Sequence, residues 1–338
     1  MKTTITYTDL HAAGEPVRIV TGGYPPLAGK TILEKRREAR DRHDHLRRAL
    51  MFEPRGHSGM YGLIPVEPTH PDAVLGVLFT HLDGYSTMCG HAMIALGRWM
   101  VDQGLVPREL PITRFAVETP CGLVRLSTEV EDGEVIHTTF ESVPAFAEAR
   151  DVVVETPGNG QVTVDLAYGG AYYAIVPSSR LGFDFFKTPV RKLVRAATAI
   201  TDRVRETIAI EHAEEPDLGF LYGTILTDDA SGWEETYNLC VFADAQVDRS
   251  PTGSGVTARM ALDYANGMAS VGPTRIFRGI SGEPFTGEIK RTTVAGEVIV
   301  EVGGRAFYGG SGSFTLEAED PFRHGLELPD RFELLRGT

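Results

Sequence analysis

Cysteine is scarce in this sequence, with three among 338 residues. Cys89, Cys121 and Cys240 form neither an even set nor a C-x-x-C pair. A disulfide framework and a structural zinc site are therefore not expected, and any special cysteine should act as a reduced thiol. Long apolar runs are missing too: nothing approaches the ~18 uninterrupted residues of a membrane-spanning helix. Polar, β-prone residues 3–8 follow Met1 and Lys2 where a signal peptide would carry its apolar core. The expectation is a cytoplasmic protein. Low-complexity tracts are absent, the 37 Gly and 20 Pro being spread along the chain. Positive charge is in deficit: 33 Lys and Arg against 46 Asp and Glu give a formal charge of −13. That disfavours nucleic acid and anionic membranes as partners. Any anion that binds must be held by a local device.

What is present is an ordinary globular composition, 42% hydrophobic and 23% charged. At roughly 150 residues per domain the length suggests two domains, each able to bury its own core. Residues 30–53 contain no Gly and no Pro before the end of the segment and interleave Arg with Glu34, Glu38, Asp41 and Asp44. They read as a charged helix with a solvated face. A second helix is predicted over 190–211, where Leu193, Ala197, Ile200, Val204 and Ile208 recur at helical spacing. Short strands are predicted at 4–7 and 17–20, flanking a turn at 11–16. Further strands are predicted at 139–146, 161–176, 219–227, 233–243 and 297–302. Few helices among many strands imply an α+β architecture.

Two segments repeat each other. Met88-Cys89-Gly90-His91-Ala92 leads into an apolar helix closed near Gly104, and Pro251-Thr252-Gly253-Ser254-Gly255 leads into another closed near Gly267. Both pairs, Cys89 with Thr252 and Gly104 with Gly267, are separated by 163 residues. A turn-to-helix signature at one fixed offset points to a duplicated fold.

The first repeated helix is apolar nearly all round, so it should be central, with its N-terminus at a cleft. Cys89 stands at that N-terminus. Free backbone N–H groups and the positive end of the helix dipole favour thiolate, which makes Cys89 a candidate base or nucleophile. The glycines at 253 and 255 let a ligand approach the second helix end closely. Two helix ends facing one cleft would grip a carboxylate. Cys121 and Cys240, in strand-like surroundings, read as core residues.

These motifs carry a resemblance. MCGHA at 88–92, DRSPTGSG at 248–255, HAAGEP at 11–16, EPRGH with MYG across 53–62, and AYGGAYYAI at 167–175 resemble the proline racemase family along nearly the whole chain. The resemblance implies two pseudo-symmetric domains similar to diaminopimelate epimerase, each a sheet wrapped around a central helix, with the active site between them. It further implies no cofactor, no metal and a homodimer acting on a small amino acid. The expected domains are 1–150 plus 322–338, carrying Cys89, and 151–321, carrying Asp248 and Thr252.

The family's catalytic pair is one cysteine from each half; this chain keeps Cys89 but has Thr252 at the second position. A hydroxyl exchanges protons near neutral pH far less readily than a thiol, so two-sided racemisation should be lost. The Cys/Thr pair is similar to the trans-3-hydroxy-L-proline dehydratase branch. In that substrate the hydroxyl shares a ring face with the α-hydrogen, and one thiol can serve a syn elimination. By this resemblance Cys89 is the proton acceptor, Gly90, His91, Gly253 and Ser254 hold the carboxylate, and Asp248 with His91 contacts the ring nitrogen. The departing hydroxyl would be protonated by the Cys89 thiol, with His57 as a second choice. Three other readings remain open: a hydroxyproline epimerase or proline racemase, a cysteine hydrolase, and a non-catalytic amino-acid-binding protein.

Overall fold

A computed structural model describes residues 2–229 and 232–327. The chain opens with β1 (Thr3–Ala12) and β2 (Glu15–Gly22), joined by a two-residue turn. Ala13 and Gly14 both take positive φ, 50° and 83°, the geometry that matches a tight hairpin to the twist of its strands. Helix α1 (Ile32–Met51) starts at Thr31, whose side chain accepts the Glu34 N–H at 3.1 Å. There follow β3 (Gly62–Val66), β4 (Leu75–Thr80), the short β5 (Tyr85–Ser86), α2 (Gly90–Asp102), β6 (Ile112–Thr119), β7 (Gly122–Glu131) and β8 (Glu134–Glu141).

The same succession then recurs. It runs β9 (Phe146–Thr156), β10 (Gly160–Tyr168), β11 (Tyr172–Pro177), α3 (Val190–Thr207), β12 (Leu221–Thr227) and β13 (Glu235–Phe242). The short β14 (Gln246–Val247), α4 (Gly253–Ala265), β15 (Thr274–Arg278), β16 (Pro284–Thr292) and β17 (Val298–Gly304) complete it. The last strand, β18 (Ala306–Leu316), returns to pair with β1.

The pairing makes the duplication explicit. One half runs β18-β1-β2-β3-β4-β6-β7-β8 and the other β9-β10-β11-β12-β13-β15-β16-β17. In each, the third and fourth strands are parallel, the fifth and sixth are parallel, and every other pair is antiparallel. Parallel neighbours need crossovers, supplied by α1 and α2 in one half and by α3 and α4 in the other. Strands β8 and β17 pair and join the halves. The architecture is α+β with two pseudo-symmetric halves.

Helix α2 is buried on nearly every side, packing against β1, β2, β7 and β8, and α4 packs against β9, β10, β16 and β17. Met93, Ile94 and Leu96 are fully buried, each contributing about 1.5–3 kcal/mol of burial free energy. Helices α1 and α3 lie outside, with only one face covered.

Some expected boundaries move. The 190–211 helix stops at Thr207, and the 161–176 stretch is two strands, broken at Gly169-Gly170. Near the expected limits at 150/151 and 321/322, β9 begins at Phe146 and β18 pairs with β1. Nothing in the sequence marks β18 as returning to the first half, because a long-range pairing leaves no local signature. Residues 328–338, expected with the first domain, lie outside the described residues.

Candidate active site

The two central helices end against each other. Each has 13 residues, and the first internal bonds run from the Met93 N–H to the Cys89 carbonyl and from the Val256 N–H to the Thr252 carbonyl. The N–H groups of Gly90, His91, Gly253 and Ser254 thus lie in the turn where a helix has no internal acceptor to offer. The first turns touch at Gly90 and Gly253, where neither position has space for a side chain. Two positive helix ends are therefore focused on one small volume, which favours a bound carboxylate.

That volume is lined by Cys89, Gly90 and His91 from one half and by Asp248, Thr252, Gly253 and Ser254 from the other. Tyr61, Met88, Tyr173, Tyr222 and Phe242 complete the wall. The structure thus brings every sequence-predicted site residue to one place except His57. His57 is exposed, with Nδ1 accepting the Gly59 N–H at 3.3 Å, and does not line the cavity.

Cys89 Sγ lies 3.1 Å from Nδ1 of His91. Burial holds the imidazole down at about 3, with the Pro16 carbonyl acting in the opposite sense. His91 is thus neutral and available to accept from the thiol, a contact the sequence reading did not anticipate. The thiol itself departs from expectation. Burial pushes Cys89 well above an ordinary cysteine, the Ala92 N–H opposes this, and the Asp248 carboxylate adds to it. Desolvation outweighs the helix dipole in this closed cavity.

On the opposite wall, Asp248 accepts the Ser250 N–H and the Thr252 hydroxyl, each at 2.8 Å. Burial raises its carboxyl to about 6 against these two bonds. Thr252 takes φ 64°, whereas its counterpart Cys89 is extended at φ −147°. A β-branched residue at positive φ is strained, and the strain is held where the two walls differ chemically. Cys240, read as a plain core residue, is fully buried with its thiol next to the Thr252 side chain, behind the cavity wall. Cys121 stays away from the site, beside Thr119.

The sequence profile of the proline racemase family matches residues 7–327. A Homo sapiens trans-3-hydroxy-L-proline dehydratase is 51% identical over 334 residues, covering 96% of this chain and 94% of its own. The chain belongs to the proline racemase family. A trans-3-hydroxy-L-proline dehydratase from Colwellia psychrerythraea is 40% identical over 329 residues, 96% of this chain and 93% of that one. Among solved structures, a hydroxyproline epimerase from Agrobacterium vitis with bound trans-4-hydroxy-L-proline matches with TM-score 0.91 at 27% identity. The match covers 97% of this chain and 96% of that one.

The family motifs outside the helix ends acquire physical reasons here. In HAAGEP, Glu15 is fully buried and accepts the Arg249 backbone N–H at 2.8 Å and its Nη1 at 3.1 Å. Arg249 Nη1 also donates to the Gly59 carbonyl at 2.9 Å. The segment carrying Asp248 and Thr252 is therefore strapped to the opposite half. Burial, and then the Asp248 charge, raise the Glu15 carboxyl well above the usual range, opposed by Arg249. In AYGGAYYAI, Gly169 lets its strand end approach the Ser254 carbonyl, and the Tyr173 hydroxyl meets Ser254 Oγ at 2.8 Å.

Proposed function

We propose that this protein eliminates water from trans-3-hydroxy-L-proline with Cys89 as the base and with no partner thiol. The product is Δ2-pyrroline-2-carboxylate, which tautomerises to Δ1-pyrroline-2-carboxylate. The substrate carboxylate would sit between the ends of α2 and α4, accepting from the N–H groups of Gly90, His91, Gly253 and Ser254. Those donors are fixed in advance, so they stabilise charge developing on the carboxylate as the α-proton leaves. Asp248 would accept from the ring ammonium. That ammonium, together with the helix ends, supplies a positive field that draws Cys89 towards thiolate when substrate binds.

The observation that carries this reading is the asymmetry of the two walls: a thiol on one, a threonine hydroxyl donated to Asp248 on the other. An epimerase must deliver a proton from the second wall, and a hydroxyl already committed to a carboxylate is poorly suited to that. A syn elimination asks nothing of it. The two curated dehydratases, at 51% and 40% identity, support the same reaction.

The test compares wild type with Cys89→Ser on trans-3-hydroxy-L-proline, reading pyrroline formation and, separately, ligand binding. Turnover should fall by at least about a thousandfold while binding survives, and near wild-type turnover would overturn the assignment of the base.

Three coarser properties belong to the same proposal. The protein acts in the cytoplasm; no helix among the described residues is long and apolar enough to cross a membrane. The site lies between two domains, whose limits follow strand pairing, with β18 in the first. The protein is a homodimer. In support, β18 contains no charge and no proline, is mostly exposed, and pairs on one side only among the described residues. Its counterpart edge strand β9 carries Glu148, Arg150, Asp151 and Glu155, charges of the kind that keep an edge from pairing.

A further inference from the structure

We propose that the Tyr61 hydroxyl is the acid that delivers a proton to the departing 3-hydroxyl, an inference that rests on the dehydration reading above. Expelling hydroxide unaided is expensive, because hydroxide is a strong base and a poor leaving group. A syn elimination from the Cys89 wall needs its donor on that same wall.

Tyr61 stands there. It immediately precedes β3 in the half that carries Cys89, it is 1% exposed, and it lines the cavity with Cys89. Its ring meets the His91 ring edge-on at 4.8 Å between centroids. Its hydroxyl is buried beside the side chains of Ser86, Cys89 and Tyr222 and makes no well-formed hydrogen bond with any of them, so it is free to turn to a ligand. Other proton carriers are already committed or elsewhere. The Tyr173 hydroxyl is held by Ser254, His91 Nδ1 faces Cys89, and His57 lies off the cavity. Tyr222 lines the same cavity but comes from β12, in the half that carries Thr252 and not the one that carries Cys89. Burial and the adjacent Cys89 keep the Tyr61 phenol protonated until it is called on.

The step balances without a co-reactant. The Cys89 thiolate takes the α-proton, the electron pair of that C–H bond becomes the Cα–Cβ double bond, and the Cβ–O bond breaks. The leaving oxygen takes the Tyr61 proton and departs as water. The Cys89 thiol then passes its proton to the phenolate, restoring both groups.

The experiment uses Tyr61→Phe, which keeps the ring, and two substrates: trans-3-hydroxy-L-proline and trans-3-fluoro-L-proline. The fluoro compound has the same stereochemistry, and its leaving group departs as an anion. Loss of the hydroxyl should lower kcat on the hydroxy substrate at least about a hundredfold, with KM within threefold and little change on the fluoro substrate. Cys89→Ser should abolish both eliminations. Wild-type kcat with Tyr61→Phe on the hydroxy substrate would overturn the proposal. So would equal losses on both substrates, which would make Tyr61 a wall residue. If wild type forms no pyrroline from the hydroxy substrate, the dehydration reading itself fails, a distinguishable result.

Discussion

A Cβ placed on Gly253 would stand 2.7 Å from the Cα of Gly90, so the first turns of α2 and α4 meet backbone to backbone. Gly253→Ala adds that one carbon and must push the helix ends apart. The expected outcome is a folded protein by circular dichroism whose kcat/KM drops at least about a hundredfold, since misplacement near 1 Å is enough for such a loss. Unchanged kinetics would mean that the helix ends do not share the carboxylate.

The pH dependence follows from two raised groups. Asp248, at about 6, must be ionised to accept from the substrate ammonium, so kcat/KM should fall as pH drops through about 6. Cys89 is raised as well, and its thiolate fraction grows with pH. The profile should therefore rise through about 6 and keep rising on the alkaline side. Asp248→Asn should remove the acidic step and raise KM. A profile flat between about pH 5 and 8 would contradict both assignments.

Much of this site was legible in the sequence, for a specific physical reason. A tight turn entering an apolar helix is a local pattern, so Cys89, Gly90, Thr252 and Gly253 could be matched at one offset, and the helices they start do occupy equivalent places. The long-range half was not legible. The return of β18 to β1, the Glu15–Arg249 strap and the approach of Tyr61 to Cys89 join residues distant in sequence. The helix dipole acting on Cys89 is a local feature, whereas the burial that raises the thiol comes from the closed cavity, built by residues distant in sequence. Thr252 at φ 64° was likewise invisible, since a threonine gives no signal of the left-handed region.

The strap predicts its own outcome. Glu15→Ala removes the buried acceptor of Arg249 and should loosen the segment bearing Asp248 and Thr252. KM should rise at least about tenfold, and the melting temperature should fall. Glu15→Gln keeps an acceptor oxygen and should lie much nearer to wild type. Equal behaviour of the two variants would show that the hydrogen bonds from Arg249 are not what positions the segment.

If β18 is the dimer edge, wild type should sediment at twice the chain mass of 36.8 kDa. The double variant Ser311→Lys with Ser313→Lys sets like charges against each other across the two-fold and should sediment as a monomer. A variant that remains dimeric would place the interface elsewhere.

On the proposed reading, one thiol facing Thr252 makes this protein a dehydratase and not an epimerase. Trans-3-hydroxy-L-proline, followed by NMR in deuterium oxide with wild-type protein and with Thr252→Cys, tests it most directly. Reductant belongs in both samples, because the Cys240 thiol lies beside position 252. Wild type should convert the substrate to the pyrroline carboxylate without forming the 2-epimer and should leave L-proline and trans-4-hydroxy-L-proline unepimerised. Thr252→Cys should gain measurable epimerisation. Ready interconversion of proline or 4-hydroxyproline stereoisomers by wild type, with no loss of water from the 3-hydroxy substrate, would contradict the account.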